Sequence, residues 1–445
     1  MLRKSATSLL FAASFAACDK PAPKPKADAD AAKKAIEKST EFYESRPYFQ
    51  QPIAMHQEVP KGLPDISAAT CGSCHTEIYE EWKISTHARA WMDDAQFQEE
   101  LKKSRGTGPD QDVEWMCVNC HTPVMNQLPK LVVGLNDGKL NSPQYVENPH
   151  YDEKLQLEAI TCATCHVRDG KILGPWGDQS RAPHPVQKSE SLLTEENCVR
   201  CHQAEAVFPE LTLGCFFTTG AEWKQSPAAK AGQTCQSCHM PEVERPVAIQ
   251  EGLPVRKTRR HWFGGSLIPK HPKFEAEIAP LRKIYGSGVE FELRQTERKC
   301  EKFEPCVWVE LEILNNKAGH HMPTGDPERH LVVQINAEGL VAPYELQIGS
   351  KFQWWPEIKK LSDNRIPAGK SQITTHEFPA GTSKIEVKAE KFRMYQDAFD
   401  HHHLEGRYVR GRLFHESVWE LGPEGAKRTL LRDDTTPEEP AKSEE

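Results

Sequence analysis

The sequence predicts an α+β chain in which a mostly helical, loop-rich region precedes an all-β, sandwich-like C-terminal domain. Two observations lead to this prediction. Between residues 41 and 285, short helical stretches alternate with five Cys-x-x-Cys-His motifs. Between residues 286 and 431, alternating β-branched runs are separated by Gly, Pro and Asn turns, and about seven such runs are typical of a β-sandwich.

The N-terminus predicts export. Arg3 and Lys4 precede an apolar stretch over residues 9–17, which is too short to span a bilayer and is typical of a signal peptide. The three residues before Cys18 are Phe, Ala and Ala, so residues 1–18 resemble a signal with a lipobox and Cys18 is the expected lipid-modified residue. Ordinary signal cleavage near the same place is the alternative. We therefore expect a periplasmic protein anchored by lipid to the inner or the outer membrane.

Two further segments have a biased composition. Residues 19–40 are rich in Pro, Ala and Lys, which predicts a flexible linker. Residues 432–445 carry two positive and six negative side chains, which predicts a disordered acidic tail. The net charge of −8 argues against nucleic acid as a partner.

The five motifs predict covalent haem c. Two thiols separated by two residues can reach the two vinyl groups of one porphyrin, and the histidine that follows can then bind the iron. Thioredoxin-like sites have one such pair without the histidine. In zinc ribbons two cysteine pairs fill the four ligand positions of the metal, so a following histidine would be surplus. Residues 41–285 are therefore predicted to form a pentahaem cytochrome c domain. The motif residues are Cys71, Cys74 and His75; Cys117, Cys120 and His121; Cys162, Cys165 and His166; Cys198, Cys201 and His202; and Cys235, Cys238 and His239.

Each haem iron has a second axial position, for which histidines outside the motifs are the candidates. His87 follows the first motif, and His184 lies between two prolines that restrict the backbone. His261 is followed by a Gly-Gly pair that would allow close approach to a flat cofactor, and His320 lies in a turn-rich segment. His150, with His56 as its alternative, completes the predicted set.

Of the four cysteines outside the motifs, Cys300 and Cys306 flank a turn between two predicted strands. We expect them to form a disulfide, because exported proteins fold in an oxidising compartment. Cys18 is assigned to lipid, and Cys215 has no predicted role.

An internal repeat raises a question about one ligand. The segment from Glu81, Glu-Trp-Lys-Ile-Ser-Thr-His-Ala, matches the segment from Glu222, Glu-Trp-Lys-Gln-Ser-Pro-Ala-Ala, in register. The histidine of the first copy, His87, is replaced by Ala228 in the second. One haem therefore either lacks a distal histidine or receives it from elsewhere.

The segment over residues 71–88, with its Cys-x-x-Cys-His followed by Glu-Ile-Tyr-x-Glu-Trp-x-x-Ser-x-His-Ala, resembles the cytochrome c-552/4 family of multihaem cytochromes. The resemblance extends over about residues 60–330 and includes the Gly-His-His-Met-Pro-Thr-Gly stretch around His320. It implies closely stacked, mostly bis-histidine haems, and it assigns His87, His261 and His320 as distal ligands. The family typically has four haems, so the fifth motif and the β domain are departures from it.

The main functional prediction is electron transfer between respiratory partners, either a membrane quinol-linked complex or other cytochromes. Irons with histidine on both sides have no open position for a substrate. The alternative is an oxidoreductase that acts on a small nitrogen, sulfur or peroxide compound at one five-coordinate haem. A third possibility is that the β domain docks a larger complex.

Overall fold

The computed structural model describes residues 29–108, 110–177 and 181–434. Short helices and hairpins make up the N-terminal part of this range, and antiparallel strands make up the C-terminal part. The predicted α+β class is therefore confirmed. Within the described ranges no helix is long and apolar enough to cross a membrane. Cys18 and most of the predicted tail lie outside the described residues.

The N-terminal part contains many short elements because the motifs and their Gly and Pro neighbours interrupt it. Its α-helices are α1 Ala29–Glu44, α2 Ala68–Gly72, α3 Thr76–Lys83, α4 Ala95–Ser104, α5 Glu114–His121, α6 Glu153–Leu157, α7 Cys162–His166, α8 Glu196–His202, α9 Thr219–Lys224, α10 Pro227–Lys230, α11 Cys235–His239 and α12 Glu275–Ile278. Its strands are β1 Lys130–Leu135, β2 Pro143–Glu147, β3 Val167–Arg168, β4 Lys171–Gly174, β5 Val186–Lys188, β6 Ala204–Phe208, β7 Leu213–Phe217, β8 Glu242–Arg245 and β9 Arg256–Arg259.

Helix α1 corrects the linker prediction. The predicted flexible segment 19–40 overlaps this helix from Ala29 onward. Ile36, Ser39 and Tyr43 recur at helical spacing, and Ser39 and Tyr43 are fully buried. Tyr43 packs with Trp115 in the core of the N-terminal part. The alanines and lysines that suggested a linker favour a helix once one face finds a core to cover.

The C-terminal part is a two-sheet sandwich. One antiparallel sheet has the order β10–β11–β15, and the other has the order β14–β13–β12–β16–β17–β18. Inward side chains of both sheets form one core, which includes Phe291, Val333, Phe378 and Phe414. The strands are β10 Glu290–Thr296, β11 Cys306–Asn315, β12 His330–Asn336, β13 Tyr344–Gln353, β14 Lys359–Asp363, β15 Lys370–Pro379, β16 Lys384–Phe392, β17 Gly411–Gly422 and β18 Gly425–Asp433, with α13 Gln396–His401 before β17.

The end of this domain lies slightly beyond the predicted start of the tail at residue 432. Strand β18 continues to Asp433, and Arg432 pairs in register with Glu416. Asp434 is buried and forms an ion pair with Arg412. Because these contacts hold residues 432–434, the prediction of disorder is wrong for them, and residues 435–445 lie outside the described part.

Cys300 and Cys306 are joined by a disulfide, with a Cα–Cα distance of 5.7 Å. The bond closes the loop that leads into β11. Beside it, the buried carboxylate of Glu377 accepts hydrogen bonds from the backbone N–H groups of Glu301, Lys302 and Phe303. The disulfide and this carboxylate together fix the loop at the end of the sandwich.

Candidate cofactor site

All five Cys-x-x-Cys-His motifs line one connected cavity of about 3040 Å³. This amounts to about 600 Å³ for each motif, which lies within the range of roughly 300–1,000 Å³ for a pocket that holds one ligand. His87, His184, His261 and His320 line the same cavity. The structure therefore brings together the fifteen motif side chains and four of the five predicted distal histidines.

Each motif lies wholly or partly on a short helix, which explains its spacing. Residues three and four apart on a helix share one face. In α7 and α11, for example, the motif occupies the whole helix, Cys162–His166 and Cys235–His239. Both thiols and the imidazole of a motif can therefore address one flat group, as haem c attachment requires.

Second partners on the backbone orient the motif histidines. The Nδ1 atoms of His75, His121 and His166 lie 2.7, 2.6 and 2.9 Å from the carbonyl oxygens of Val247, Ala90 and Leu173. Nδ1 of His239 pairs in the same way with the carbonyl of Gly264. A ring whose Nδ1–H donates to a carbonyl presents the lone pair of Nε2, which is the tautomer that binds a metal. These carbonyl partners were not predicted from the sequence.

Two motif histidines face predicted distal histidines at the spacing of axial ligands. The ring centroids of His239 and His320 are 6.1 Å apart and nearly parallel, and those of His166 and His261 are 6.3 Å apart. An imidazole nitrogen binds a metal at about 2 Å, so two imidazoles on opposite sides of one iron have ring centres roughly 6 Å apart. Nδ1 of His261 and of His320 also pairs with a backbone carbonyl at 2.9 Å. The residues present therefore fit haem.

The other two distal candidates in the cavity lie near different motif histidines. Burial, with a smaller contribution from the nearby His75, lowers the pKa of His184, and His202 lies near His87 in the same way. Burial, followed by repulsion from neighbouring imidazoles, lowers the pKa of His87 to about 3 and that of His202 to about 4. These imidazoles are neutral near pH 7, as metal ligands must be.

The structure does not bring His150 to the cavity. Its side chain is exposed, and its ring lies 4.5 Å from that of His56, its predicted alternative. Neither residue lines the cavity. The Asn-Pro-His segment forms a surface turn in which the Asn148 side chain accepts a hydrogen bond from the backbone N–H of His150. This position corrects the expectation that His150 or His56 faces a motif.

The loop that carries His320 occupies the place of the missing repeat histidine. A Cβ atom built on Gly319 would lie 3.2 Å from Cβ of Ala228 and 3.5 Å from the ring of Trp223. Gly319 therefore packs closely against Ala228, and a larger side chain at position 228 would crowd this contact. The Ala228 side chain leaves room for a loop from the β domain, and the loop brings His320 to face His239.

Contacts between thiols show which motifs are neighbours. The thiols of Cys71 and Cys162, of Cys120 and Cys201, and of Cys198 and Cys235 lie close together, and they stand in for the thioethers that haem attachment would form. Cys198 also lies near Cys165. The motifs therefore form a connected series in which the first adjoins the third, the third adjoins the fourth, and the second and fifth both adjoin the fourth.

The second motif has a different environment. His121 stacks on Phe97 at 3.4 Å, and in the described part of the chain no other histidine ring contacts it. Asp94 and Lys270, a buried ion pair, are both close enough to influence the pKa of His121. Burial lowers the pKa of Lys270 to about 8 despite the Asp94 carboxylate.

More charged groups continue this cluster. Asp326, Arg329 and Arg393 line the same part of the cavity, and the Nε atoms of both arginines are buried without a hydrogen-bond partner among the described residues. Tyr408 donates a hydrogen bond to Gln96 beside them. The sequence analysis missed this cluster, because its members are scattered along the chain and carry no motif.

Comparisons with known proteins found similarity to cytochromes. The family model described as "Outer membrane cytochrome MtrC/MtrF-like, domains II/IV" matches residues 100–249, which contain the second to fifth motifs. A solved structure, a penta-heme cytochrome c552 from Thermochromatium tepidum, superposes with a TM-score of 0.53 at 17% identity, covering 81% of this chain and 99% of that chain. None of the curated proteins matches the chain significantly.

The fold is that of a multihaem cytochrome. At 17% identity the solved structure supports the shared architecture alone. The family model adds sequence support over about a third of the chain, and it supports the broader class of multihaem electron-transfer cytochromes. The narrower resemblance to the cytochrome c-552/4 family stays a prediction.

Proposed function

We propose that this protein is an exported multihaem c-type cytochrome that carries five covalent haems and passes single electrons between redox partner proteins. The observation that carries the proposal is the pair of opposed histidines at two motifs, His166 with His261 and His239 with His320. An iron held between two imidazoles has no free position for a substrate, so its chemistry is the gain and loss of one electron.

The proposed ligand set follows from the neighbours of each motif histidine. His261 serves the haem of His166, His320 that of His239, His184 that of His75, and His87 that of His202. The motif cysteines hold the porphyrins, and the connected series of motifs suits the passage of electrons from haem to haem. We assign the haems to residues 41–285 and the sandwich to residues 286–431.

The proposed location is the periplasm, on a membrane, through lipid at Cys18. The signal-like sequence of residues 1–18 supports this, and the matching family model describes outer membrane cytochromes. The proposed partners are redox proteins, either a quinol-linked complex or other cytochromes. We expect no binding to nucleic acid because the chain is acidic.

Haem counting tests the proposal. The purified full-length protein should contain five covalent haems per chain, one for each motif, as measured by denatured haem absorbance against protein concentration. Replacing Cys198 and Cys201 with alanine should remove one haem. Cys215→Ala is the matched control, because Cys215 is a half-buried cysteine near Cys120 that belongs to no motif. A chain without covalent haem would overturn the proposal.

One observation favours a second candidate function, an oxidoreductase that acts on a small nitrogen, sulfur or peroxide compound. The second motif has no histidine ring in contact with His121 among the described residues, and a buried charged cluster lies beside it. EPR and visible spectra separate the two functions. Only low-spin signals would exclude the oxidoreductase, whereas a high-spin fraction of about one-fifth, abolished by cyanide, would support it.

A further inference from the structure

The internal repeat contains a glutamate and a tryptophan in each copy, Glu81-Trp82 and Glu222-Trp223. Neither pair belongs to a Cys-x-x-Cys-His motif. The two copies are far apart in the sequence, and they lie at the two haem sites with opposed histidines. Their contacts can therefore be compared atom by atom.

Each tryptophan donates a hydrogen bond to the residue that lies two positions before a motif. The indole N–H of Trp82 donates to the carbonyl of Ile160 at 2.8 Å, and that of Trp223 donates to the carbonyl of Gln233 at 3.1 Å. Ile160 precedes Cys162 by two residues, and Gln233 precedes Cys235 by two residues. Trp82 therefore fixes the backbone just before the third motif, and Trp223 fixes the backbone just before the fifth.

A second bond reinforces each of these contacts. The backbone N–H of Ile160 donates to the carbonyl of His87, and that of Gln233 donates to the carbonyl of Ala228. His87 and Ala228 are the equivalent positions of the repeat. The main-chain contact is thus the same in both copies, although one side chain differs.

Each glutamate accepts a hydrogen bond from the segment that carries a predicted distal histidine. That histidine faces the motif whose preceding residues the neighbouring tryptophan contacts. The carboxylate of Glu81 accepts the backbone N–H of His261 at 2.9 Å, and His261 faces His166 of the third motif. The carboxylate of Glu222 accepts the backbone N–H of His321 at 3.2 Å. His321 adjoins His320, which faces His239 of the fifth motif.

Both carboxylates are buried and fully paired. The Glu81 side chain is 6% exposed and forms ion pairs with Arg245 and Arg260. The Glu222 side chain is 5% exposed and pairs with Arg365 at 2.7 Å, with Thr324 donating a further bond. A buried, multiply bonded carboxylate has a fixed position, because each lost hydrogen bond would leave a charge in low dielectric.

We propose that Glu81 and Glu222 are equivalent positioning residues. Each glutamate holds the segment that carries the distal ligand of one haem, and the tryptophan next to it holds the segment that leads into the attachment motif of the same haem. This inference rests on the proposed haem ligation. One short repeat thereby connects the two sides of a haem site, the third motif through Glu81-Trp82 and the fifth through Glu222-Trp223. The repeat thus has the same role at two places in the fold.

The test uses the full-length holoprotein with Glu81→Ala and Glu222→Ala. Each variant should still bind five haems, but about one haem in five should become high-spin, as measured by EPR, because its distal histidine is no longer held. Glu81→Gln and Glu222→Gln keep the shape of the side chain and remove its charge. They should keep the low-spin signal and raise the midpoint potential of one haem in a redox titration.

Combined variants identify the haem concerned. The double variant Glu81→Ala with His261→Ala should contain no more high-spin haem than His261→Ala alone. The double variant Glu81→Ala with His320→Ala should contain a second high-spin haem. Glu222→Ala should give the reverse pattern. A role in general stability would not produce this exchange, because it would not distinguish between the two haems.

Glu77→Ala is the matched control for the first copy. Glu77 is on the same helix α3 and contacts the same Arg245 at 3.2 Å, but it is 66% exposed, lies 4.0 Å from Arg260, and accepts no hydrogen bond from the backbone of His261. Lys224→Ala, at an exposed position of α9, serves the second copy. Loss of covalent haem from the unmutated protein would refute the proposed function itself. Glutamate variants whose low-spin signals and potentials match those of the unmutated protein would refute this inference alone.

Discussion

At the residue scale, the motif histidines are prepared by their surroundings to bind metal. Four of the five have Nδ1 paired with a backbone carbonyl, which leaves Nε2 directed into the cavity. Burial lowers the pKa of two motif histidines, His121 and His202, to about 4, so these imidazoles are neutral near pH 7. Two independent properties, tautomer and charge, therefore agree with the role that motif spacing predicts.

His320→Ala tests the distal assignment that depends on the β domain. Removing the imidazole should convert about one haem in five from low-spin to high-spin, because the iron opposite His239 would lose its second imidazole. EPR and the visible spectrum report the change, and added imidazole should restore the low-spin signal. His271→Ala is the control, since His271 is half-buried, caps a short helix and does not line the cavity. An unchanged spectrum in His320→Ala would contradict the assignment.

His150→Ala tests the correction made by the structure. Because His150 is exposed, stacks on His56 and lies outside the cavity, its removal should leave all haem signals and potentials unchanged. The same measurements apply as for His320. A new high-spin fraction would show that His150 binds an iron after all.

At the scale of elements, burial of apolar side chains decides whether the α1 segment is a helix or a linker, and it decides the register of the strands in the sandwich. The Ala- and Lys-rich composition of α1 suits a solvated linker as well as a helix, and contact with the core decides for the helix. In β16 the alternation of Ile385, Val387 and Ala389 inward with charged residues outward leaves only one register that buries the apolar side.

Tyr43→Ala should loosen helix α1 from the N-terminal core. The Tyr43 side chain is 1% exposed and packs against Phe42 and Trp115, so its loss leaves a cavity worth about 3 kcal/mol of unfolding free energy. Denaturant titration of the holoprotein measures this. Lys38→Ala, at an exposed position of the same helix, should change stability little. Equal effects of the two variants would argue against a packed helix.

Phe378→Ala makes the same test in the sandwich. Phe378 is fully buried between the sheets on β15, and truncation should cost about 3–5 kcal/mol. Ile373→Ala on the same strand is the control, because Ile373 is 51% exposed. Thermal or denaturant unfolding followed by tryptophan fluorescence would show the difference, and a mild effect of Phe378→Ala would contradict the shared core.

At the scale of the whole molecule, the haem cavity is completed by a segment from the sandwich. The loop after β11 carries Gly319 and His320 to the fifth motif, and Arg365 before β15 pairs with Glu222 of the repeat. The two parts of the chain therefore share one site. A mutation in this loop is expected to change haem properties even though it lies far from every motif in sequence.

The proposed lipid anchor is a property of the whole protein in its compartment. Cys18→Ala should move the protein from the membrane fraction to the soluble periplasmic fraction while leaving its haem content unchanged. Cell fractionation followed by haem staining measures both quantities. A protein with native Cys18 that is already soluble would favour ordinary signal cleavage.

The sequence by itself determined the five motifs that we propose attach haem and the strand character of the last part, because both depend on local spacing. Two thiols and a histidine within five residues define a site alone, and alternation along one strand defines a buried face. The repeat also contained the glutamates, but nothing in it showed what they bind. Tertiary structure alone decided the histidine pairs, the exclusion of His150 and the place of Ala228. Distal ligands come from segments far away in sequence, and only folding brings the two sides of one iron together.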